Sequence, residues 1–464
     1  MDRAALLARG ADEVAGGKLP AAEATFRAIL AVAPGDVDAL SNLGAVLNIA
    51  QRHAAAEAAC RAALAARPGF WAALGNLGTA LHHQLRYDEA IAAYAAALRG
   101  NPGDANAWSN LGVALAAQGR LADSLLVHDA AVSLAPGNAA MHVQRALALL
   151  AAGQLEAGFA ENEWRWRAPG MQSLVLAAPQ WRGEPPEGRT ILLHDEAGFG
   201  DTMQFVRYAP ALAARGARVV VQVQPPLVRL VRRSMPAIAA VLARGEKLPP
   251  HDLHCPMMSL PHGFGTGLAT VPADTPYLTP CPEATARWAT RLAAAGGQSL
   301  RVGLVWAGAA WPLWAAAPPP DRPQAWAMNQ RRSMTLAGLA PLAGVPGVRF
   351  VSLQYGASAE AAQPPPGMDL FDPMAEMTDF DDTAALVANL DLVIAVDTAV
   401  AHLAGALGRP VWLLSRHDAC WRWLTGRRDS PWYPGMRIYR QPCPGDWDSV
   451  LAEVAGDLRR LAEG

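Results

Sequence analysis

An α-helical solenoid followed by two doubly wound α/β halves is the fold this 464-residue chain predicts. Three observations carry that expectation. Residues recur in steps of 34 through the first third. After a proline-rich stretch the hydrophobic pattern changes to alternating strands and helices. A second strand–helix series begins at Arg301.

The 34-residue step is exact in several columns. Prolines stand at Pro34, Pro68, Pro102 and Pro136, and glycines at Gly10, Gly44, Gly78 and Gly112. Leu43, Leu77 and Leu111 precede three of those glycines, and Leu40, Leu74 and Trp108 precede the leucines by three. Ala22, Ala56, Ala90 and Ser124 form a small-residue column, and Phe26, Cys60, Tyr94 and His128 a larger one. Small residues let two antiparallel helices approach, large ones interlock neighbouring hairpins, and proline ends the second helix because it lacks an amide donor. One hairpin cannot bury its apolar face alone, so stacking is required. The pattern resembles the tetratricopeptide repeat. That resemblance implies either a groove for a protein or peptide partner, or a structural spacer. Asn42, Asn76 and Asn110 also recur at 34. They read either as a polar ladder clamping a peptide in the groove or as local caps. A degenerate fifth unit over 138–166 is expected to cap the stack, giving a repeat domain over 1–168.

The stretch FAENEWRWR, 159–167, sets Trp164 and Trp166 beside arginines, and both tryptophans are expected to plug the joint between solenoid and α/β region. Pro169, Pro179, Pro185 and Pro186 mark a linker. A first α/β half is expected over 169–297. Strands are predicted at 191–194, 218–223 and 238–242, with another at His251–Cys255, and helices at 202–215 and 226–234. Between the first strand and helix lies a glycine loop carrying Gly198, Gly200 and Asp201. A strand, a tight loop and a helix N-terminus form a natural site for an anion or a sugar. Asp201 reads as a general base at the mouth of that site or as a helix cap. Glu196 is the alternative base. Gln204 and Arg207, on the first turns of the same helix, are candidate contacts to acceptor or donor.

A second half is expected over 298–464. Arg301–Trp306, 348–353, 391–396 and Val411–Leu414 read as strands. The helix at 382–389 is expected to be capped by Asp381 or Asp382. The helix after Asp397 and Thr398 carries Val400, Leu403, Ala404 and Leu407 at helical spacing and stops at Gly408 before Pro410. A final helix is expected at 447–461. The N-terminus beginning at Thr398 offers free amides, Thr398 a hydroxyl, and His402 lies one turn in on the same face. His402 reads as a ligand contact or a core histidine, and Asp397 as a sugar contact or a cap. Arg332 suits a phosphate by bidentate contact or is a surface residue, with Ser333 beside it. Trp306 and Gly308 end a strand where backbone can approach a nucleotide.

Bulk composition narrows the function classes. Apolar residues make up 52% and charged ones 17%, which excludes a disordered chain. The net charge of −2 gives no footprint for nucleic acid. Five scattered cysteines form no CxxC pair, so neither a zinc site nor a disulfide framework is expected. Without a run of about 18 apolar residues no membrane span is expected. The N-terminal sequence lacks a signal-peptide pattern, and the expected compartment is the cytoplasm.

The segments GFGDTMQFVRYAP at 198–210 and DTAVAHLAGALGRPVWLL at 397–414 resemble the glycine-Asp loop and donor-binding segment of heptosyltransferase-type enzymes. With EWRWR, DLHCPMMSLP and DSPWYP in order, the whole chain resembles bacterial proteins joining tetratricopeptide repeats to such a domain. The resemblance implies the two-domain architecture called GT-B, a nucleotide-sugar donor on the second half and an acceptor on the first. It also implies inverting, metal-independent transfer without a cofactor, Asp201 as base, and donor contacts at Trp306, Gly308, Arg332, Ser333, Asp397, Thr398 and His402. The acceptor is expected to be a protein recruited by the repeats, flagellin or another surface protein by analogy. A non-catalytic scaffold and a transferase for a surface saccharide are the alternatives. Three positions depart from the family pattern: the Ala/Pro/Trp-rich insertion at 309–328, Cys420 in place of an acid, and Ala197 in place of a glutamine.

Overall fold

The computed structural model describes residues 2–168, 176–294, 299–308, 323–356 and 358–463. The insertion at 309–328 and the junction at 297–298 thus lie largely outside the described residues. The chain divides into two compact units, 1–152 with 164–171, and 153–163 with 172–464.

The first unit is a stack of antiparallel helix pairs. These are α1 (Arg3–Ala15) with α2 (Leu19–Val32), α3 (Val37–Ile49) with α4 (His53–Ala66), α5 (Trp71–His83) with α6 (Tyr87–Gly100), and α7 (Ala105–Ala117) with α8 (Leu121–Leu134). A further helix, α9 (Ala139–Ala151), packs on α8. The 34-residue columns have a direct steric meaning. A Cβ on Gly10 would stand 2.5 Å from the Phe26 ring, on Gly44 2.5 Å from Cys60 Sγ, on Gly78 2.7 Å from Tyr94, and on Gly112 2.6 Å from His128 Nε2. Each glycine is the socket for the large residue sixteen positions on. Ala22, Ala56, Ala90 and Ser124 are fully buried, and Ser124 Oγ donates to Gly112 O at 2.8 Å. Trp164 stacks on His142 within this unit, ring centroids 3.7 Å apart.

The expected fifth repeat is divided. Its second helix, α10 (Leu155–Asn162), belongs to the second unit. Phe159 on α10 is buried edge-on against Phe205, Trp421 and Trp432, at centroid distances of 6.3, 5.5 and 6.4 Å. Glu163 accepts from Gln180 Nε2 at 2.9 Å and from Ser259 Oγ at 2.7 Å. Apolar complementarity therefore gives 153–163 to the second unit, while 164–168 stay with the repeats.

The second unit holds two parallel sheets. In the first half, β1 (Thr190–His194) leads to α11 (Phe199–Phe205) and α12 (Tyr208–Ala214), then β2 (Arg218–Val223), α13 (Val228–Ser234), β3 (Ala240–Ala243), β4 (Leu253–Pro256), α14 (Leu260–Gly263) and α15 (Pro282–Ala294). The strand order is β3-β2-β1-β4. The single helix expected at 202–215 is broken in two. Pro210 has no amide to give Val206 O, and its ring crowds that carbonyl. In the second half come β5 (Leu300–Val305), α16 (Pro323–Arg332), α17 (Ala340–Ala343), β6 (Val348–Ser352), α18 (Ser358–Ala361), β7 (Leu370–Phe371), α19 (Phe380–Val387), β8 (Leu392–Val396), α20 (Ala399–Ala406), β9 (Val411–Ser415), β10 (Met436–Arg440) and α21 (Trp447–Glu463). Its strand order is β10-β9-β8-β5-β6-β7.

Two expectations are corrected here. The cap of α19 is Asp379, whose Oδ1 accepts from the amides of Asp381 at 2.9 Å and Asp382 at 3.1 Å. Asp381 is instead fully buried and held by Arg233 of α13, Nη1 to Oδ2 2.6 Å. Strand β10 is an addition to the expected set. The core of the second half packs Val302, Leu304 and Trp306 with Phe350, Ile394 and Val396, and closes against Leu451, Val454 and Leu458 of α21. Together the two parallel sheets supply the GT-B-type pair of α/β halves that the sequence implied.

Candidate active site

The site grows from two helix N-termini. β1 delivers the chain into the loop 195–198, and α11 opens with Gly198 extended at φ −77°, ψ 171°. Asp201, three residues in, accepts the Gly198 amide through Oδ2 at 2.9 Å. Asp201 is therefore a cap, and a quarter of its side chain stays exposed. Glu196 has a different role: its Oε1 accepts from Met258 N at 2.9 Å and braces the loop after β4.

The second N-terminus follows β8. Asp397 leads into Thr398, the extended cap residue of α20. The Thr398 hydroxyl is buried without a partner among the described residues. Arg332 Nη1 donates to Asp397 O at 2.8 Å and Nε to Asn329 Oδ1 at 3.1 Å, so this arginine is bound to the loop entering α20 rather than lying at the surface. Asn329 Nδ2 is likewise buried without a partner among the described residues. Burial pushes the Arg332 guanidinium down, Asp397 opposes that, and Arg416 adds to it.

Gly308 and Ser333 serve each other. The Gly308 amide donates to Ser333 Oγ at 2.9 Å, and a Cβ at 308 would run into Asn329 and Arg332. Trp306 corrects an expectation. Its side chain is fully buried, Nε1 donates to Glu360 Oε2 at 2.9 Å, and its own amide is taken by Gln354 Oε1 at 3.1 Å. It is a core residue with no free group for a nucleotide.

The two termini meet across the halves. A Cβ on Gly200 would stand 2.7 Å from His402 Cδ2 and 3.5 Å from Ala399 Cα. His402 is buried, with Nδ1 2.8 Å from Tyr433 Oη and its ring beside Trp423 at 5.3 Å. Nε2 makes no hydrogen bond among the described residues. Burial, reinforced by the charge of Arg422, pushes His402 down to about 3, so it is neutral at pH 7.

Arg422 completes the constellation, and sequence reasoning misses it. Its Nε donates to Gln204 Oε1 at 2.6 Å, Nη1 to Cys420 Sγ at 3.3 Å, and Nη2 pairs with Asp201 Oδ1. Burial is the strongest single influence and works against its charge, but Asp201, Cys420 and Asp397 together outweigh it and move the guanidinium upward. Gln204 is fully buried and Nε2 has no partner among the described residues. Arg207 corrects another expectation. It is buried, donating to Gln204 O, Pro272 O, Trp432 O and Tyr277 Oη at 2.8, 2.8, 2.9 and 2.7 Å, so it ties the halves together instead of facing a ligand. A single arginine between two tryptophans, in Trp421-Arg422-Trp423, is the one sequence signal for Arg422.

The recurring asparagines do not make a uniform ladder. Asn76 Nδ2 donates to Ser41 O at 3.0 Å and bonds one repeat to the next, Asn42 is half-buried, and Asn110 is exposed.

Comparisons with known proteins bear on both units. Residues 7–69, 61–105 and 76–139 match the tetratricopeptide repeat model, and residues 356–414 match glycosyltransferase family 9 (heptosyltransferase). The second match runs through β8, Thr398 and His402 and into β9. Tetratricopeptide repeats are thus followed, in the second half of the α/β unit, by a segment similar to the heptosyltransferase family. Protein FlbA of Caulobacter vibrioides is 27% identical over 324 residues, covering 64% of this chain and 50% of FlbA. The chain thus spans about half the length of that curated relative. Among solved structures, TTC0263, a repeat protein of Thermus thermophilus, is 20% identical over 36% of this chain and 92% of its own, at TM-score 0.34. The PilF protein of Pseudomonas aeruginosa is 21% identical over 37% and 78%, at 0.33. In the described residues no helix is long and apolar enough to cross a membrane. The heptosyltransferase match contains α20, whereas Asp201 and Arg422 come from segments on either side of it.

Proposed function

We propose that this chain transfers a sugar from a nucleotide-sugar donor to a protein acceptor gathered by the repeats, with inversion and without a metal. One observation carries the reading: the N-termini of α11 and α20 converge, with Asp201 on one and Thr398 and His402 on the other. The first turn of α20 offers amides and the positive end of a helix dipole to a diphosphate. Arg332 stands beside it, and Thr398 Oγ1 and His402 Nε2 supply neutral hydrogen bonds.

In the transfer, the acceptor oxygen forms a bond to the anomeric carbon while that carbon's bond to the phosphate oxygen breaks. The nucleotide leaves with the bonding pair, and the hydroxyl proton passes to Asp201. The Gly198 amide and Arg422 occupy one lone-pair position on each Asp201 oxygen, of about four in all. The proposed compartment is the cytoplasm, and none of the five cysteines forms a disulfide.

A second reading, a scaffold with a silent transferase domain, is favoured by Asp201 serving as cap and ion-pair partner. Nucleotide release from UDP-, GDP-, ADP- and CMP-linked sugars separates the two. Release by the wild type and its loss in Asp201→Asn support transfer. Equal release by both proteins removes Asp201 as base, and no release from any donor favours the scaffold. Capture experiments with the full chain and surface proteins test the acceptor class. Transfer to a free saccharide without repeat-dependent capture points to the surface-saccharide alternative.

A further inference from the structure

We propose that Arg422 is a positioning residue for the Asp201 carboxylate, joining the base on the first half to the donor side of the second; the inference rests on the glycosyl-transfer reading above. Asp201 and Gln204 stand three residues apart on α11, hence on one helix face. Arg422 meets both from the opposite half, through Nη2 to Asp201 Oδ1 and Nε to Gln204 Oε1 at 2.6 Å. The third nitrogen is held by Cys420 Sγ at 3.3 Å, and the guanidinium lies over the Trp421 ring at 4.5 Å.

The side chain is 10% exposed, so these contacts form away from bulk water. A guanidinium is a rigid planar fork, and clamping two of its nitrogens fixes the third direction. Gln204 and Cys420 therefore aim Nη2, and Nη2 aims Oδ1. The Gly198 amide fixes Oδ2 at 2.9 Å. With both oxygens held, the carboxylate plane has one orientation, and the proton leaving the acceptor hydroxyl meets a preset lone pair. Arg422 works through Asp201 and contacts neither donor nor acceptor. A lysine keeps the charge but, with one nitrogen, cannot span Gln204 and Asp201 together.

The test uses the full chain and whichever of the UDP-, GDP-, ADP- or CMP-linked sugars gives nucleotide release. Arg422→Lys is expected to lower kcat roughly 10- to 100-fold, the scale of a small misplacement of a reacting group. KM for the donor and Kd for the product nucleotide should stay within about twofold, since ground-state binding is untouched. In an Asp201→Asn background the same substitution should cost nothing further. Gln204→Met, which keeps the charge and removes the clamp, should reproduce the kcat loss and serves where Arg422→Lys does not fold. Wild-type kcat in both variants overturns the inference. So does an equal loss in the Asp201→Asn background, or a rise in KM at unchanged kcat, which would make Arg422 a ligand contact. A wild type inert toward every donor overturns the transfer reading along with it, and is distinguished from an active enzyme that ignores Arg422→Lys.

Discussion

Gly200 and His402 face each other so closely that a single added carbon on Gly200 would stand 2.7 Å from the imidazole. The ring cannot retreat, because Tyr433 holds Nδ1 and Trp423 lies beside it. Gly200→Ala is expected to push the two helix N-termini apart at a cost of about 1–3 kcal/mol, the usual range for overpacking. Thermal unfolding and donor binding should both fall. Unchanged binding would mean the contact plays no part in the site.

His402 gives the second unit an acid-sensitive component. Its pKa of about 3 in the folded chain lies below the ordinary 6.5. The unfolded chain binds the proton more readily, so the stability from neutral His402 is complete above pH 6.5 and is lost as pH falls toward 3. His402→Gln retains a group able to bond Tyr433 and should flatten that limb of a stability–pH curve measured by denaturant unfolding. A curve of unchanged slope would contradict the assignment.

The repeats contain a similar weak point. His128 is 1% exposed, burial pushes it down to about 4, and Nδ1 has no partner among the described residues. Phe26 and Tyr94 fill the same column over Gly10 and Gly78. His128→Phe should therefore raise stability by about 1 kcal/mol or more, by removing an unsatisfied buried nitrogen. The gain should grow as pH falls from 6.5 to 4, the window in which the unfolded histidine takes up its proton and the buried one does not. Chemical denaturation at two pH values measures it.

Phe159 should matter to the second unit rather than to the repeats. It is 2% exposed among Phe205, Trp421 and Trp432. Phe159→Ala is expected to cost about 3–5 kcal/mol. Hydrogen exchange should show the loss in α11 and in the 421–432 segment, with α1–α8 unaffected. Loss confined to the repeats would return α10 to the first unit.

The repeat array is legible in the sequence because each column is a steric pair: a glycine at one position is answered by a large residue sixteen later. The strands β1, β2, β6, β8 and β9 are legible as apolar runs. Strand β10 is not, since Arg437 and Arg440 interrupt a five-residue run. The catalytic candidates are readable as helix-entry residues, but their partners are not. Arg422 finds Asp201 at a sequence separation of 221, and nothing local marks such a contact. Trp306 and Arg207 mislead for the converse reason. Their positions at a strand end and a helix turn suit a ligand, whereas packing uses Trp306 in the core and Arg207 as a tie between halves.

Those ties run in both directions. Arg207 leaves the first half to hold Trp432 O, and Arg422 leaves the second to hold Gln204 and Asp201. The two α/β halves are consequently not interchangeable parts. A chimera that took its second half from another protein of this architecture would leave Arg207 without the Trp432 carbonyl and Asp201 without its cation. To exchange specificity between such proteins, the crossover must carry the α11 face and the 420–433 segment together, as one inherited block.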